Sequence, residues 1–149
     1  MRNIKHLVVH CTATKAGQKV TVEDVDKWHK ARGWRKIGYH YLIYLDGTIK
    51  AGRDENEVGA HVAGNNSTSI GICYVGGLDA TGKPTDTRTE NQKAALFYLM
   101  QRLKTKYPTA RIVGHRDFSP DLNGNGIIEP WEYMKACPCF DAAVEYKNL

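Results

Sequence analysis

Three side chains that can bind a transition metal are spread along the chain. They are His10 in LVVHCTAT, His115 in IVGHRDFSP and Cys137 in KACPCFD, each near the end of a predicted strand or turn. Two imidazoles and one thiolate around a zinc ion leave its fourth position open for water, which is the arrangement of catalytic zinc sites. If the three side chains converge, the sequence predicts a metallohydrolase.

Spacing alone does not select these ligands, because the chain contains six histidines and four cysteines. A histidine in an apolar strand is more often structural than ligating, and His6 lies on the same predicted strand as His10. Cys139 is two positions from Cys137, and either thiolate could reach a metal. A disulfide between the two is not expected, since it would disable the site. His29, among charged residues of a predicted helix, is expected to be exposed.

These residues must be positioned by a fold of the α/β class. The clearest helix is predicted for residues 90–106, where Thr89 and Gln92 form a capping box, and a hairpin is predicted around Asp46-Gly47. Strands mixed with helices indicate a sheet packed between helices, and the chain shows no linker that would mark a second domain. The other elements predicted within the single domain 1–149 are strands at 4–11, 68–75 and 110–115 and helices at 21–32 and 140–148. In the helix at 21–32, the apolar stripe is expected to consist of Val22, Val25 and Trp28.

Composition places the chain among ordinary soluble globular proteins, with 42% hydrophobic and 25% charged residues. The net charge of +5 suits an anionic partner such as a wall polymer, nucleic acid or a membrane surface, without choosing among them. No stretch approaches the roughly 18 apolar residues of a membrane span. The apolar run Leu7–Val9 is too short for a signal peptide, so we expect the chain to be cytoplasmic at first.

Four segments, VVHCTAT, GYHYLIYLDGTIKAGRDENEVGAHVAGNNSTSIGICYVGG, VGHRDFSP and KACPCFD, together carry a family resemblance. In this order they resemble the zinc-dependent N-acetylmuramoyl-L-alanine amidases of the type-2 amidase and peptidoglycan-recognition-protein family. The likeness is best to the single-domain phage lysozymes with amidase activity and covers nearly the whole chain. It implies a central mixed β-sheet flanked by helices, with zinc at the base of a groove. It also implies His10, His115 and Cys137 as zinc ligands and Tyr39 and Lys135 as catalytic residues.

The chemistry of these residues agrees with amide hydrolysis between N-acetylmuramic acid and L-alanine of the peptidoglycan stem peptide. Zinc lowers the pKa of bound water and polarises the scissile carbonyl. The Lys135 ammonium and the Tyr39 hydroxyl are suitable donors to the charge that develops on the carbonyl oxygen, and Tyr39 could alternatively relay a proton. No HExxH motif is present, so the helix-borne glutamate base of many metallopeptidases is not indicated.

Further polar residues are expected to line the groove and to bind substrate. His61 lies in GAHVAGNNSTSIG, a loop rich in glycine and asparagine, together with Asn66; the alternative for His61 is a solvent-exposed loop histidine. His40 is a third candidate, although Tyr39 and His40 would point to opposite faces of a strand. Asp117 could orient a metal-bound histidine or could cap a turn.

The connection between His115 and Cys137 is longer than in the compact phage enzymes, because the two residues are 22 positions apart (137 − 115). Within it, DLNGNGIIEPWE at residues 121–132 matches the ligand pattern of a calcium loop. Pro120 argues against a helix that enters this loop, so it is closer to a lone dockerin-type loop; the alternative is an Asn-Gly turn without metal. The predicted calcium ligands are Asp121, Asn123, Asn125, the Ile127 carbonyl and Glu132.

Taken together, the sequence predicts a monomeric zinc amidase that acts on peptidoglycan as an endolysin, with no nucleic-acid or membrane partner. Without a signal peptide it would stay cytoplasmic until released to the cell wall, although a wall-recycling enzyme or an exported effector would share this feature. A non-catalytic peptidoglycan-binding module is less favoured because Cys137 is present. A phage-type regulator of RNA polymerase is less favoured because no extended arm precedes the first strand. A zinc peptidase that acts elsewhere on the stem peptide is a further alternative.

Overall fold

A mixed β-sheet forms the centre of the protein in a computed structural model, which describes residues 2–119, 122, 124, 125 and 136–149. Within these residues, the strands are β1 (His6–Cys11), β2 (Thr14–Lys15), β3 (Tyr41–Ile43), β4 (Ile49–Ala51), β5 (Ser69–Tyr74), β6 (Gly77–Leu78) and β7 (Arg111–Gly114). Five of them form the main sheet in the order β4-β3-β5-β1-β7. Only β4 is antiparallel to its neighbour in this sheet. The α/β architecture and the mixed sheet are confirmed.

The two longer helices begin where their capping residues predict. The helices of the described residues are α1 (Val22–Ala31), α2 (Glu90–Lys106) and α3 (Ala142–Glu145), with short 3-10 helices at Asn66–Thr68 and His115–Phe118. Thr21 and Thr89 each form a complete capping box, with Asp24 and Gln92 respectively. The last helix is shorter than the predicted 140–148, because it starts only after the Asp141 cap and ends at Glu145. None of the helices in the described ranges is long and apolar enough to cross a lipid bilayer.

The predicted hairpin joins β3 to β4 through a tight turn. Gly47 has a φ of +89°, a left-handed conformation that glycine adopts without strain, and its N–H donates to the Tyr44 carbonyl. The Asp46 carboxylate accepts a hydrogen bond from the Thr48 backbone N–H at 2.9 Å. Local turn chemistry therefore fixes the register of the two strands, as the Asp-Gly pair predicts.

Apolar side chains cover both faces of the sheet. On one face, Leu7 and Ile70 of the central strands belong to the same buried cluster as Met100 of α2. On the other face, Leu42 and Cys73 belong to a cluster that includes Val25 of α1. Parallel strands buried on both faces are typical of α/β proteins. Because β1, β5 and β7 are parallel, their carboxyl ends lie along one edge of the sheet, and this edge holds the candidate site.

The C-terminal segment 136–149 is attached to this sheet by polar contacts. The Tyr74 hydroxyl donates to the Pro138 carbonyl at 2.6 Å. The buried Arg88 guanidinium donates to the carboxylates of Asp86 and Glu145 and lies 3.4 Å from the centre of the Phe140 ring. These contacts hold the segment that carries Cys137.

Arg88→Ala is therefore expected to destabilise the protein by roughly 2–4 kcal/mol, since it leaves two carboxylates without their partner and uncovers the Phe140 ring. Chemical denaturation measures this change. The matched control is Arg102→Ala on α2, which removes an exposed arginine whose partner is the Tyr98 hydroxyl; we expect a change below about 0.5 kcal/mol. Equal effects of the two substitutions would contradict this account of the C-terminal segment.

Candidate metal centre and active site

The structure brings His10, His115 and Cys137 together at the carboxyl edge of the sheet. Their ligand atoms all lie within 4.8 Å of one another. His10 lies near the end of β1, and His115 opens the 3-10 helix that follows β7. Cys137 comes from the C-terminal segment, where its carbonyl accepts a hydrogen bond from the Arg116 N–H at 2.9 Å. Two strand ends and one anchored segment therefore build the cluster.

The donor set fits a zinc ion. Tetrahedral ligation with Zn–N near 2.0 Å and Zn–S near 2.3 Å places neighbouring ligand atoms roughly 3.3–3.6 Å apart. Small side-chain movements would close the observed cluster to that spacing. The Cys11 backbone N–H donates to the Cys137 sulfur at 3.1 Å, a contact that orients this sulfur within the cluster.

The thiols of Cys11 and Cys139 make contacts other than those of a metal ligand. All four cysteines are free thiols, so Cys137 and Cys139 are not joined by a disulfide. The Cys139 thiol points to the Gly77 carbonyl at 3.3 Å and lies 4.0 Å from the Cys11 sulfur. The contact with the Cys137 sulfur, together with burial, raises the pKa of Cys11 to about 12. The hydrogen bond with Cys11 and burial also raise the pKa of Cys139. Cys11 and Cys139 therefore remain neutral thiols at physiological pH.

Tyr39 lies against the cluster of candidate metal ligands. Its ring centre is 5.0 Å from that of His10 and 5.3 Å from that of His29. Burial raises the pKa of Tyr39 well above its usual value, and the thiols of Cys73, Cys137 and Cys11 add to this effect. This shift favours the protonated phenol, which can donate a hydrogen bond.

His29 is a site residue that sequence reasoning missed. It is 6% exposed rather than on the surface, while Trp28, assigned to the apolar face, is 41% exposed. The i, i+4 spacing from Val25 to His29 defines the buried face of α1, and this spacing is the signal that could have found it. His29 Nδ1 accepts the Gly38 N–H at 2.8 Å, and burial lowers the pKa of His29 to about 4. The neutral ring therefore carries its proton on Nε2.

A cavity of about 620 Å³ opens over the cluster. It contains the three candidate metal ligands together with Tyr39, His29 and His61. Such a volume is typical of ligand-binding clefts. Its remaining wall includes Thr12, Arg32, Trp34, Val62, Asn66 and Phe118.

The predicted substrate-binding residues occupy different positions. His61 and Asn66 line the cavity, and the Asn66 side-chain oxygen accepts the backbone N–H groups of His61 and Val62 at 2.9 and 2.8 Å. His40 is fully buried beneath the cavity, where Nδ1 accepts the Gly71 N–H at 3.0 Å and Nε2 lies 2.8 Å from the Glu57 carbonyl. Only His61 and Asn66 of the three are thus placed to contact a ligand.

The remaining predicted residues have mixed outcomes. The Asp117 carboxylate accepts the Gly114 N–H at 2.8 Å, so of its two alternatives it caps the turn after β7. Asn125 is exposed, and it alone of the predicted calcium ligands is among the described residues. Lys135, Asp121, Asn123, Ile127 and Glu132 lie outside the described residues.

Comparison with known proteins identifies the family. Residues 1–139 match the family described as N-acetylmuramoyl-L-alanine amidase. The chain belongs to this family. A relative, the endolysin of Enterobacteria phage K11, is 46% identical over 133 residues, which are 89% of this chain and 79% of that protein.

Solved structures agree with the family assignment. The endolysin N-acetylmuramoyl-L-alanine amidase LysCS of Clostridium intestinale superposes with a TM-score of 0.74 at 30% identity, over 97% of this chain and 80% of that chain. Bumblebee PGRP-SA shares the fold, with a TM-score of 0.72 at 23% identity over 99% of this chain and 86% of that chain. The family resemblance is confirmed, and the activity of this family member is hydrolysis of a peptidoglycan amide bond.

Proposed function

We propose that the protein is a zinc-dependent N-acetylmuramoyl-L-alanine amidase that acts as an endolysin. It would cut the amide between the lactyl group of N-acetylmuramic acid and L-alanine of the stem peptide. The observation that supports zinc dependence is the convergence of His10, His115 and Cys137 within 4.8 Å at the floor of the cavity. A complete three-ligand set favours catalysis over a module that only binds peptidoglycan.

Zinc bound by these ligands would supply a Lewis acid that activates water and polarises the scissile carbonyl. The chain itself supplies hydrogen-bond donors around that carbonyl. Tyr39 keeps its proton because its pKa is raised, so its hydroxyl can donate to the carbonyl oxygen as negative charge develops there. The neutral His29 ring, which lies next to Tyr39, has its N–H on Nε2 and is a second potential hydrogen-bond donor. Lys135 is proposed, from the family resemblance, as a further donor.

Metal removal tests the zinc proposal. Dialysis against a chelator is expected to lower amidase activity by at least about 10³-fold, because metal activation of water and carbonyl lowers the barrier by several kcal/mol. Added Zn²⁺ should restore the activity. Circular dichroism of the metal-free protein separates loss of metal from loss of fold. Full activity in folded, metal-free protein would contradict zinc dependence.

The segment 121–132 is proposed to bind calcium and so to order the chain ahead of Lys135 and Cys137; the ligand pattern alone supports this. Calcium at 100 times its dissociation constant would add about 2.7 kcal/mol of stability and raise Tm by roughly 5–10 °C. Glu132→Ala should lose this response, whereas Glu23→Ala, on the exposed face of α1, should keep it. The same calcium response in the Glu132→Ala protein and the wild type would exclude the loop as the site.

A further inference from the structure

A chain of hydrogen bonds runs from His10 into the interior of the protein through His61. His10 Nε2 lies 2.8 Å from His61 Nδ1, and His61 Nε2 lies 3.1 Å from the Ser69 hydroxyl. The Ser69 hydroxyl donates to the Asn65 carbonyl at 2.8 Å. The side chains of His10, His61 and Ser69 are all buried, with exposures of 1%, 8% and 0%. Water therefore competes little with these hydrogen bonds.

The proton positions along these hydrogen bonds are fixed by the Ser69 hydroxyl and the Asn65 carbonyl. A carbonyl only accepts, so the single proton of Ser69 is directed to Asn65, and the Ser69 oxygen must accept from His61 Nε2–H. A neutral imidazole has one proton, so His61 Nδ1 is an acceptor and takes the proton of His10 Nε2. The lone pair of His10 is then on Nδ1, where it can bind a metal.

The neutral form of His61 follows from its surroundings. Its hydrogen-bond partners in the described part of the chain are a histidine, a serine and, for its backbone N–H, an asparagine amide. A positive charge on the ring would therefore be buried without a carboxylate to compensate it.

Two glycines hold the His61 ring in this orientation. A Cβ placed on Gly71 would lie 2.7 Å from His61 Cγ, and one placed on Gly59 would lie 2.7 Å from His61 Cδ2. Both distances are shorter than a van der Waals contact, so the ring occupies a slot that only glycine leaves open. The slot fixes the plane of the ring and keeps Nδ1 directed at His10.

We propose that His61 is a positioning residue that holds His10 in the tautomer with Nδ1 toward the metal and thereby raises zinc affinity, with Ser69 fixing the tautomer of His61 in turn. The inference rests on the proposed zinc site and assigns His61 a role other than substrate contact. Partners behind a metal-bound histidine typically account for 10–100-fold in metal affinity.

Two substitutions at His61 separate this role from simple packing. His61→Phe keeps a ring in the slot but removes the acceptor, and is expected to raise the Kd for Zn²⁺ by about 10–100-fold in a chelator competition. His61→Asn places an amide oxygen where Nδ1 was, and should restore most of the affinity. Ser69→Ala leaves the His61 tautomer unfixed, and an intermediate loss is expected. Equal Zn²⁺ affinity in wild type and His61→Phe would overturn the proposal.

A second readout needs no metal. Long-range ¹H–¹⁵N NMR of the wild-type histidine rings should show the His10 proton on Nε2, and the His61→Phe protein should show both tautomers. A His10 proton on Nδ1 in the metal-free wild type would overturn the inference even if zinc binds. Wild-type protein that shows the Nε2 proton but binds no Zn²⁺ would instead overturn the proposed zinc function and, with it, the effect on affinity.

Discussion

Cys137→Ala is expected to abolish amidase activity, with a loss of at least about 10³-fold, and to release zinc at concentrations that the wild type retains. The substitution removes the sole sulfur ligand of the proposed set, and the activating effect of a metal on water and carbonyl corresponds to several kcal/mol of barrier. Amidase assays at fixed total zinc, together with the metal content after gel filtration, measure both effects.

Cys139→Ala is the matched control for this substitution. Its thiol is two positions away, but it points to the Gly77 carbonyl and toward Cys11 rather than into the metal cluster. We expect zinc content and activity close to those of the wild type, with a modest loss of stability. If Cys139→Ala were inactive and Cys137→Ala active, Cys139 would be the ligand.

Tyr39→Phe should lower kcat by about 10²–10³-fold and leave KM within a few-fold, because it removes one donor that acts on charge present only in the transition state. The ring and its packing against His10 and His29 are kept, so zinc affinity should not change. Steady-state kinetics on a soluble muramyl peptide measure kcat and KM separately. Tyr98→Phe, an exposed position on α2, is the control and should be silent.

The pH profile of the same variant distinguishes the two roles considered for Tyr39. A phenol whose pKa lies well above its usual value does not ionise in the neutral range, so it acts as a donor there. The residual activity of Tyr39→Phe should therefore keep the shape of the wild-type profile between about pH 6 and 9. A basic limb present in the wild type and absent in the variant would indicate proton relay instead.

Local signals made much of the fold predictable from the sequence. Thr21 and Thr89 mark the starts of α1 and α2, and Asp46-Gly47 marks the hairpin, because each of these structures depends on residues within a few positions. The helix predicted at 140–148 is shorter in the structure, because the Asp141 side chain caps its start and the helix ends at Glu145. The prediction for α1 was wrong at two neighbouring positions, because Trp28 is exposed and His29 is buried.

The site was less predictable, because its contacts join distant parts of the chain. The order of the family motifs identifies His10 and Cys137 as candidate ligands, whereas the spacing of histidines and cysteines alone does not. The His10–His61 hydrogen bond spans 51 positions, and the slot for His61 depends on Gly59 and Gly71 from separate segments. No local sequence pattern indicates such a contact. The composition of its loop predicts that His61 lines a groove, but it does not predict the hydrogen bond with His10.

The most direct test of the account is the product formed from purified peptidoglycan. Zinc-loaded protein should release new N-terminal L-alanine and an equal amount of free muramic lactyl carboxyl groups, with no new reducing sugar ends, and Cys137→Ala should release neither. Absence of new N-terminal L-alanine with zinc-loaded wild-type protein, or cleavage at another stem-peptide bond, would contradict the proposed function.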